Sequence, residues 1–227
     1  MIDGKKVLAV IPARQGSKGL LGKNNRMLAG RPLLGWTIDA AQNSRLIDRL
    51  VLSSNDPIAI EYARSVNCEV PFTRTEELSS DTVAGVDVVI DAVNRCPGFN
   101  YVVLLQPTSP LRTTEDIDNA LRFVMKSSAT SCVSIVQCRS NPHWMYYRNS
   151  EQQLIQVLEG QNITRRQELP IVYEPNGAIY IANINYLLEE RSLITTQTIG
   201  YEMPLDRSID IDNIDDFNAA ESYLQGK

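Results

Sequence analysis

The sequence predicts an α/β protein built on a largely parallel sheet, and three observations carry that expectation. An uninterrupted apolar run, VLAVI at 7–11, is closed by Pro12 and has the length and composition of a strand buried on both faces. Apolar runs of strand length recur at 50–52, 101–105 and 131–136. Between them, apolar residues fall at helical spacing, so strand and helix alternate along the chain.

Taken in order, Arg31-Pro32 precedes Leu33, Leu34, Trp36, Ile38, Ala40 and Ala41, a helical face with proline in its first turn. Residues 50–52 read as a short buried strand, about 57–66 as a helix and 68–72 as the next strand. Asp81 is placed to cap a helix whose buried face carries Val86, Val89, Ile90 and Val93. Residues 101–105 are too few for a free helix and fit a central strand, which opens into the polar loop Gln106-Pro107-Thr108-Ser109-Pro110-Leu111-Arg112. Thr113 or Thr114 caps a helix through Ile117, Leu121 and Val124, and 131–136 returns to strand. From about 138 to 173 the texture changes: Trp144, Tyr146 and Tyr147 alternate with polar residues, 154–158 suggests a short strand, and Arg165-Arg166-Gln167 interrupts. This reads as an insertion whose exposed apolar surface serves an oligomer contact. The main rhythm resumes at 176–181 and closes with a helix over about 214–224.

At 227 residues and 43% hydrophobic composition the chain can bury a substantial core. A net charge of −5 and a pI near 5.0 argue against a non-specific nucleic-acid partner, so clustered cations need a local reason. Cys68, Cys96, Cys132 and Cys138 lie in or beside apolar runs without CxxC spacing and read as free thiols. The sequence has no leader-peptide pattern and no stretch long and apolar enough for a bilayer, so the expectation is a soluble cytoplasmic protein without a membrane partner.

The cations cluster directly after the first strand, where Arg14, Lys18 and Lys23 stand among Gly16, Gly19 and Gly22. Glycine lets backbone approach a phosphate closely, and Arg and Lys neutralise its charge. A merely basic surface loop is the competing reading; three cations in one loop at a strand's C-terminal end favour a binding site. The P-loop pattern fails, because Ser17 stands where its first glycine belongs and Asn24 where its hydroxyl belongs. At the far end, Ser208-Ile209-Asp210-Ile211-Asp212 alternates strictly, which in a strand places both carboxylates on one face. Two such aspartates can share Mg2+ with substrate phosphates. The alternative is that Asp210 is solvated and Asp212 caps the last helix. His143, in the insertion, reads as a packing or interface residue, and neither a Ser-His-Asp arrangement nor a GxGxxG motif is present to support acyl transfer or hydride transfer.

Four segments together, IPARQGSKG at 11–19 with Lys23-Asn24, LLQPTSPLR at 104–112, NGAIYI at 176–181 and SIDID at 208–212, closely resemble the acylneuraminate cytidylyltransferases. The resemblance runs nearly end to end. It implies a Rossmann-like three-layer α/β/α nucleotidyltransferase fold (GT-A-like) with a mostly parallel mixed sheet, as one domain over 1–227 with a dimerisation arm at about 138–173. It implies transfer of CMP from CTP to a nine-carbon 2-keto sugar acid with release of pyrophosphate, in a homodimer. Residue by residue it implies that Ala13, Arg14, Lys18, Lys23, Asn24 and Arg74 handle the nucleotide, with Arg14 and Lys23 stabilising the transition state. Gln106 and Tyr180 would face the sugar acid, Asp210 and Asp212 would hold Mg2+, and Arg166 would lie in the arm close to a neighbouring site. The chain departs from the pattern at Val83-Ala84-Gly85, where serines are common, and at Leu21, Asn55 and Trp144. The rival readings are a transferase for the eight-carbon acid Kdo, whose first loop typically has Lys-Pro where this chain has Lys23-Asn24, and a nucleotide-binding module without catalysis.

Overall fold

The computed structural model describes residues 2–16, 19–158 and 163–226. Strand β1 (Val7–Ala13) is buried along almost its whole length. Its side chains divide by alternation: Val7, Ala9, Ile11 and Ala13 face one hydrophobic cluster, Leu8 and Val10 the other. After the first loop, β2 (Met27–Leu28) pairs antiparallel with β3 (Arg31–Pro32), and α1 (Leu33–Gln42) follows. Proline therefore sits at the N-cap, one position before the expected first turn. Next come β4 (Arg49–Ser54) and α2 (Pro57–Ser65), which Asp56 caps by accepting from the Ile58 amide.

Residues 68–72, expected as a strand, touch the sheet edge through one isolated bridge, Val51 to Glu69, and the next, Ser54 to Thr73, falls just beyond them. Pro71 falls between them, and proline removes a ladder donor. A single turn, α3 (Glu76–Ser79), precedes α4 (Gly85–Arg95). Asp81 does not cap α4 as expected; Ala84 stands at the N-cap without a side-chain bond, because the Asp81 carboxylate pairs with Arg14 instead. Strand β5 (Tyr101–Leu105) leads to α5 (Thr114–Ser127), where Thr113 and Asp116 form a capping box. Then follow β6 (Ser131–Gln137), the exposed hairpin of β7 (Tyr146–Arg148) and β8 (Leu154–Gln156), and β9 (Tyr173–Asn183). The chain ends with α6 (Ile184–Glu190), β10 (Ile199–Glu202) and α7 (Ile214–Gln225).

The main sheet has the order β10-β6-β9-β5-β1-β4. β1 is parallel to both β4 and β5, and β6 to β10; only β9 runs antiparallel to its neighbours. One face is covered by α1, α2 and α5 through Leu34, Ile38, Ala59, Ala63, Ile117 and Leu121. Val89, Val93 and Leu187 of α4 and α6 cover the other. The order reverses at β1, which has β4 on one side and β5 on the other, so a crevice opens beyond their C-terminal ends.

Residues 208–212, expected as a strand, join no sheet; their one backbone bond to the β5 loop runs from the Ile211 amide to the Thr108 carbonyl at 2.8 Å. The alternation still reports sidedness, since Ile209 and Ile211 pack with Leu20, Leu28, Leu33 and Phe217 under α7. Asp212 does not cap α7; Asn213 does, accepting from the Asp215 and Asp216 amides.

An ion pair holds this segment from the side. Arg207 donates twice to the buried Asp116 carboxylate, both bonds 2.9 Å. Burial disfavours the Asp116 charge, yet the bonds from Arg207 and Thr113 hold its pKa below the ordinary value. A depressed carboxylate pKa contributes stability above its unfolded value and loses it as pH falls through the folded one. Asp116→Asn should therefore cost about 2 kcal/mol at neutral pH, and the gap between wild-type and variant denaturation midpoints should begin to narrow below about pH 4 and close as pH falls through the lower folded value. Urea titrations at several pH values check both.

Candidate active site

The crevice is a cleft of about 520 Å³ lined by both chain ends and by two central loops. Arg14 and Lys23 come from the β1 loop, Gln106 and Thr108 from the β5 loop, Arg74 from the segment after β4, and Asp212 from the last extended segment. Lys23 Nζ donates to the Ile211 carbonyl at 2.5 Å and lies 3.4 Å from Asp212 Oδ1, so the two clusters meet across 189 positions of sequence. Glycine is needed where they touch: a Cβ on Gly19 would stand 2.5 Å from the Asp212 carbonyl oxygen.

Several side chains pin the first loop. Asn24 donates to the Arg14 carbonyl at 3.3 Å, Asn25 donates to Asp56 at 2.7 Å, and the Gln15 amide donates to Asn55 at 2.9 Å. Ala13 contributes its carbonyl, which accepts from Ser54 Oγ, while its methyl is core. Lys18 lies outside the described residues. Arg14 itself bridges to the loop before α4, reaching the Ser79 carbonyl at 3.3 Å and Asp81 at 2.5 Å.

Arg74 is buried, and among the described residues its Nε and Nη2 have no hydrogen-bond partner. Burial and the charge of Arg14 draw its pKa down to about 10, against the pull of Asp91. It remains a cation at neutral pH with donor capacity left on the cleft wall. Gln106 is fixed by its carbonyl, which accepts from Arg112 Nη1 at 3.1 Å and from Thr37 Oγ1 at 3.4 Å.

Asp210 lies near Thr108, Asp212 and Lys23 and against Gly177. Burial pushes its carboxyl above the ordinary value, opposed by a bond from Thr108 and by Lys23, and assisted by the nearby Asp212 charge. Its Oδ1 is buried and without a partner among the described residues. An orphaned, acid-crowded carboxylate oxygen suits a hard cation, so the residues present fit Mg2+. Among the described residues no group of three or more acidic, histidine or cysteine side chains could hold a metal, so any ion here would draw on this pair and on substrate oxygens. Tyr180, on β9, packs half-buried against the α4 face; burial and the Asp210 charge raise its pKa.

Arg166 stays apart from the cleft within one chain, and Ala13, Tyr180 and Asp210 are not among the residues that line it. Arg166 lines a second cavity of about 300 Å³ with Arg139 and Glu202, because it lies in the arm between β8 and β9. His143 sits in the arm, its Nδ1 2.9 Å from Asn141 Oδ1. Conversely, Thr108, Asp81 and Gly177 carry site contacts that sequence reasoning had not assigned. Their only advance signal was membership of polar or glycine-bearing loops at strand ends.

The cytidylyltransferase family model matches residues 8–227. The chain belongs to the cytidylyltransferase family. A CMP-N,N'-diacetyllegionaminic acid synthase of Legionella pneumophila is 34% identical over 225 residues, covering 97% of each chain. An N-acylneuraminate cytidylyltransferase of Streptococcus agalactiae serotype V is 34% identical over 214 residues, 93% of this chain and 52% of that one, so this cytidylyltransferase spans about half that relative's length. A CMP:2-keto-3-deoxy-manno-octonic acid synthetase complexed with CTP matches in structure with a TM-score of 0.75 at 15% identity, covering 97% of this chain and 99% of that one. The fold is thus the Rossmann-like nucleotidyltransferase fold, and the protein is a nucleotidyltransferase enzyme.

Gly177 tests the Asp210 seat. Its φ is +76°, and an added Cβ would lie 2.8 Å from Asp210 Oδ2. Gly177→Ala should lower turnover at least tenfold while the protein stays folded, checked by steady-state kinetics beside circular dichroism.

Proposed function

We propose that the enzyme activates a nine-carbon 2-keto sugar acid with CTP, giving the CMP-sugar and pyrophosphate. The observation that carries this reading is the meeting of Arg14 and Lys23 with Asp212 at one cleft that also presents Gln106 and Arg74. Two relatives at 34% identity are named for the legionaminic and acylneuraminate acids, which supports the substrate class over the Kdo type. The Kdo-type neighbour shares the fold at 15% identity, and Lys23 here is followed by Asn24.

In this reading the anomeric hydroxyl attacks the α-phosphorus in line; a new O–P bond forms and the bond to the pyrophosphate oxygen breaks. Arg14 and Lys23, both lining the cleft, would hold the triphosphate and absorb negative charge on the departing pyrophosphate. Arg74, on the same cleft with unpaired donors, would serve the nucleoside end, and Gln106 and Tyr180 would orient the sugar acid. Asp210 and Asp212 would hold Mg2+, whose chemistry there is to neutralise phosphate charge. Asp212 is 81% exposed at its side chain, so Asp212→Ala should keep the fold yet lower turnover by orders of magnitude. The assay is pyrophosphate release from CTP, dependent on both added sugar acid and magnesium; release without the acid, or near-normal activity in the variant, would contradict the scheme.

The arm completes the proposal as a dimer contact. Tyr147, Leu154 and Ile171 are 63%, 67% and 66% exposed, an apolar surface that a second copy would cover. Arg166, held away from its own chain's cleft, would then be available to the partner's. Sedimentation at micromolar concentration should give a dimer; an active monomer would refute the assignment.

A further inference from the structure

We propose that Asp81 is the resident counter-ion of Arg14, and that an incoming triphosphate takes Arg14 over from it. The proposal rests on the reading of the cleft as a CTP site and adds to it a residue that sets nucleotide affinity.

Three observations lead there. Arg14 Nη2 lies 2.5 Å from Asp81 Oδ1, and both side chains line the cleft about one-third exposed. A pair in that position is partly screened by water and exchangeable, unlike a buried one. Next, Arg14 and Arg74 share the wall, and the charge of one depresses the pKa of the other, so the cleft holds two cations in mutual repulsion. Asp91 offsets the charge of Arg74, and Asp81 supplies one negative unit to Arg14 where a triphosphate would supply several. Finally, the Asp81 carboxylate is directed to Arg14 and not to the start of α4, where Ala84 stands at the N-cap without a side-chain bond.

The pair also reaches beyond itself. Arg14 holds the Ser79 carbonyl as well as Asp81, so one side chain straps the 79–84 loop to the end of β1. Ser80 and Val83 of that stretch, and Gly85 at the start of α4, border the cleft. Transfer of Arg14 to phosphate therefore loosens the loop that flanks the nucleoside end, coupling nucleotide entry to the shape of its wall. Lys23 is arranged differently, since the Ile211 carbonyl holds it independently of any carboxylate exchange.

The test is calorimetric titration of CTP into the wild-type protein, Asp81→Asn, Asp81→Glu and the double variant Arg14→Ala/Asp81→Asn, each checked for wild-type circular dichroism. Asp81→Asn should bind CTP about fivefold more tightly at low ionic strength, with the gain shrinking as salt rises. Asp81→Glu should stay near wild type, and adding Arg14→Ala should abolish the gain. Hydrogen exchange over 78–85 should quicken in ligand-free Asp81→Asn. Unchanged or weaker CTP binding by folded Asp81→Asn, with normal uptake by the wild type, would overturn the counter-ion assignment alone. Failure of the wild type to bind CTP would overturn the reading of the cleft as well.

Discussion

One lysine closes the molecule on itself. Lys23 leaves the first loop, spends its ammonium on the Ile211 carbonyl and the Asp212 carboxylate, and so joins segments at opposite ends of the chain. Its side chain is only 11% exposed, and a cation that far from water needs those acceptors. The contact is backed by packing, because Leu20 and Ile211 share a cluster with Phe217 of α7. With the closure in place, the cleft has a floor and two walls. Without it, the aspartates would belong to a surface strip with no defined relation to the β1 loop.

Around that closure, polar groups that never reach the cleft hold those that do. Arg112 is buried, and among the described residues none of its hydrogen-bond partners is a carboxylate; it donates to the Gln106 and Ala178 carbonyls and to Thr37 Oγ1, joining the β5 loop, β9 and α1. Burial draws its pKa down to about 9, a cost that a purely structural staple could have avoided with an apolar side chain. On the far side Ser134 donates to Asn176, and Asn176 donates to Ser208 at the foot of the aspartate segment. Arg207 and Asp116 anchor the same segment from α5. Positioning is thus divided between an arginine under the Gln106 loop and a polar chain under Asp210.

What the sequence disclosed and what it withheld follow one physical line. The β1 and β5 runs, the Thr113 cap and the change of texture at 138 were readable because they are local: period, capping residue and composition each report on a few neighbours. The alternation at 208–212 correctly reported which side each residue faces but not the absence of a ladder, since sidedness and hydrogen bonding are separate properties. Asp81 looked like a cap because its partner, Arg14, is 67 positions away and invisible to local reasoning. The Gly177 contact with Asp210 and the antiparallel β9 are equally non-local. Arg166 was placed by resemblance, and a single chain leaves it at another cavity because the arm carries it there.

The most direct measurement is a crystal structure of this cytidylyltransferase with CTP bound. The triphosphate is expected between Arg14 and Lys23 at the Asp212 end of the cleft, with the nucleoside end toward Arg74. Nucleotide seated instead in the second cavity beside Arg139 and Arg166, with Lys23 still on Ile211, would contradict the central claim that the two chain ends close over a phosphate site.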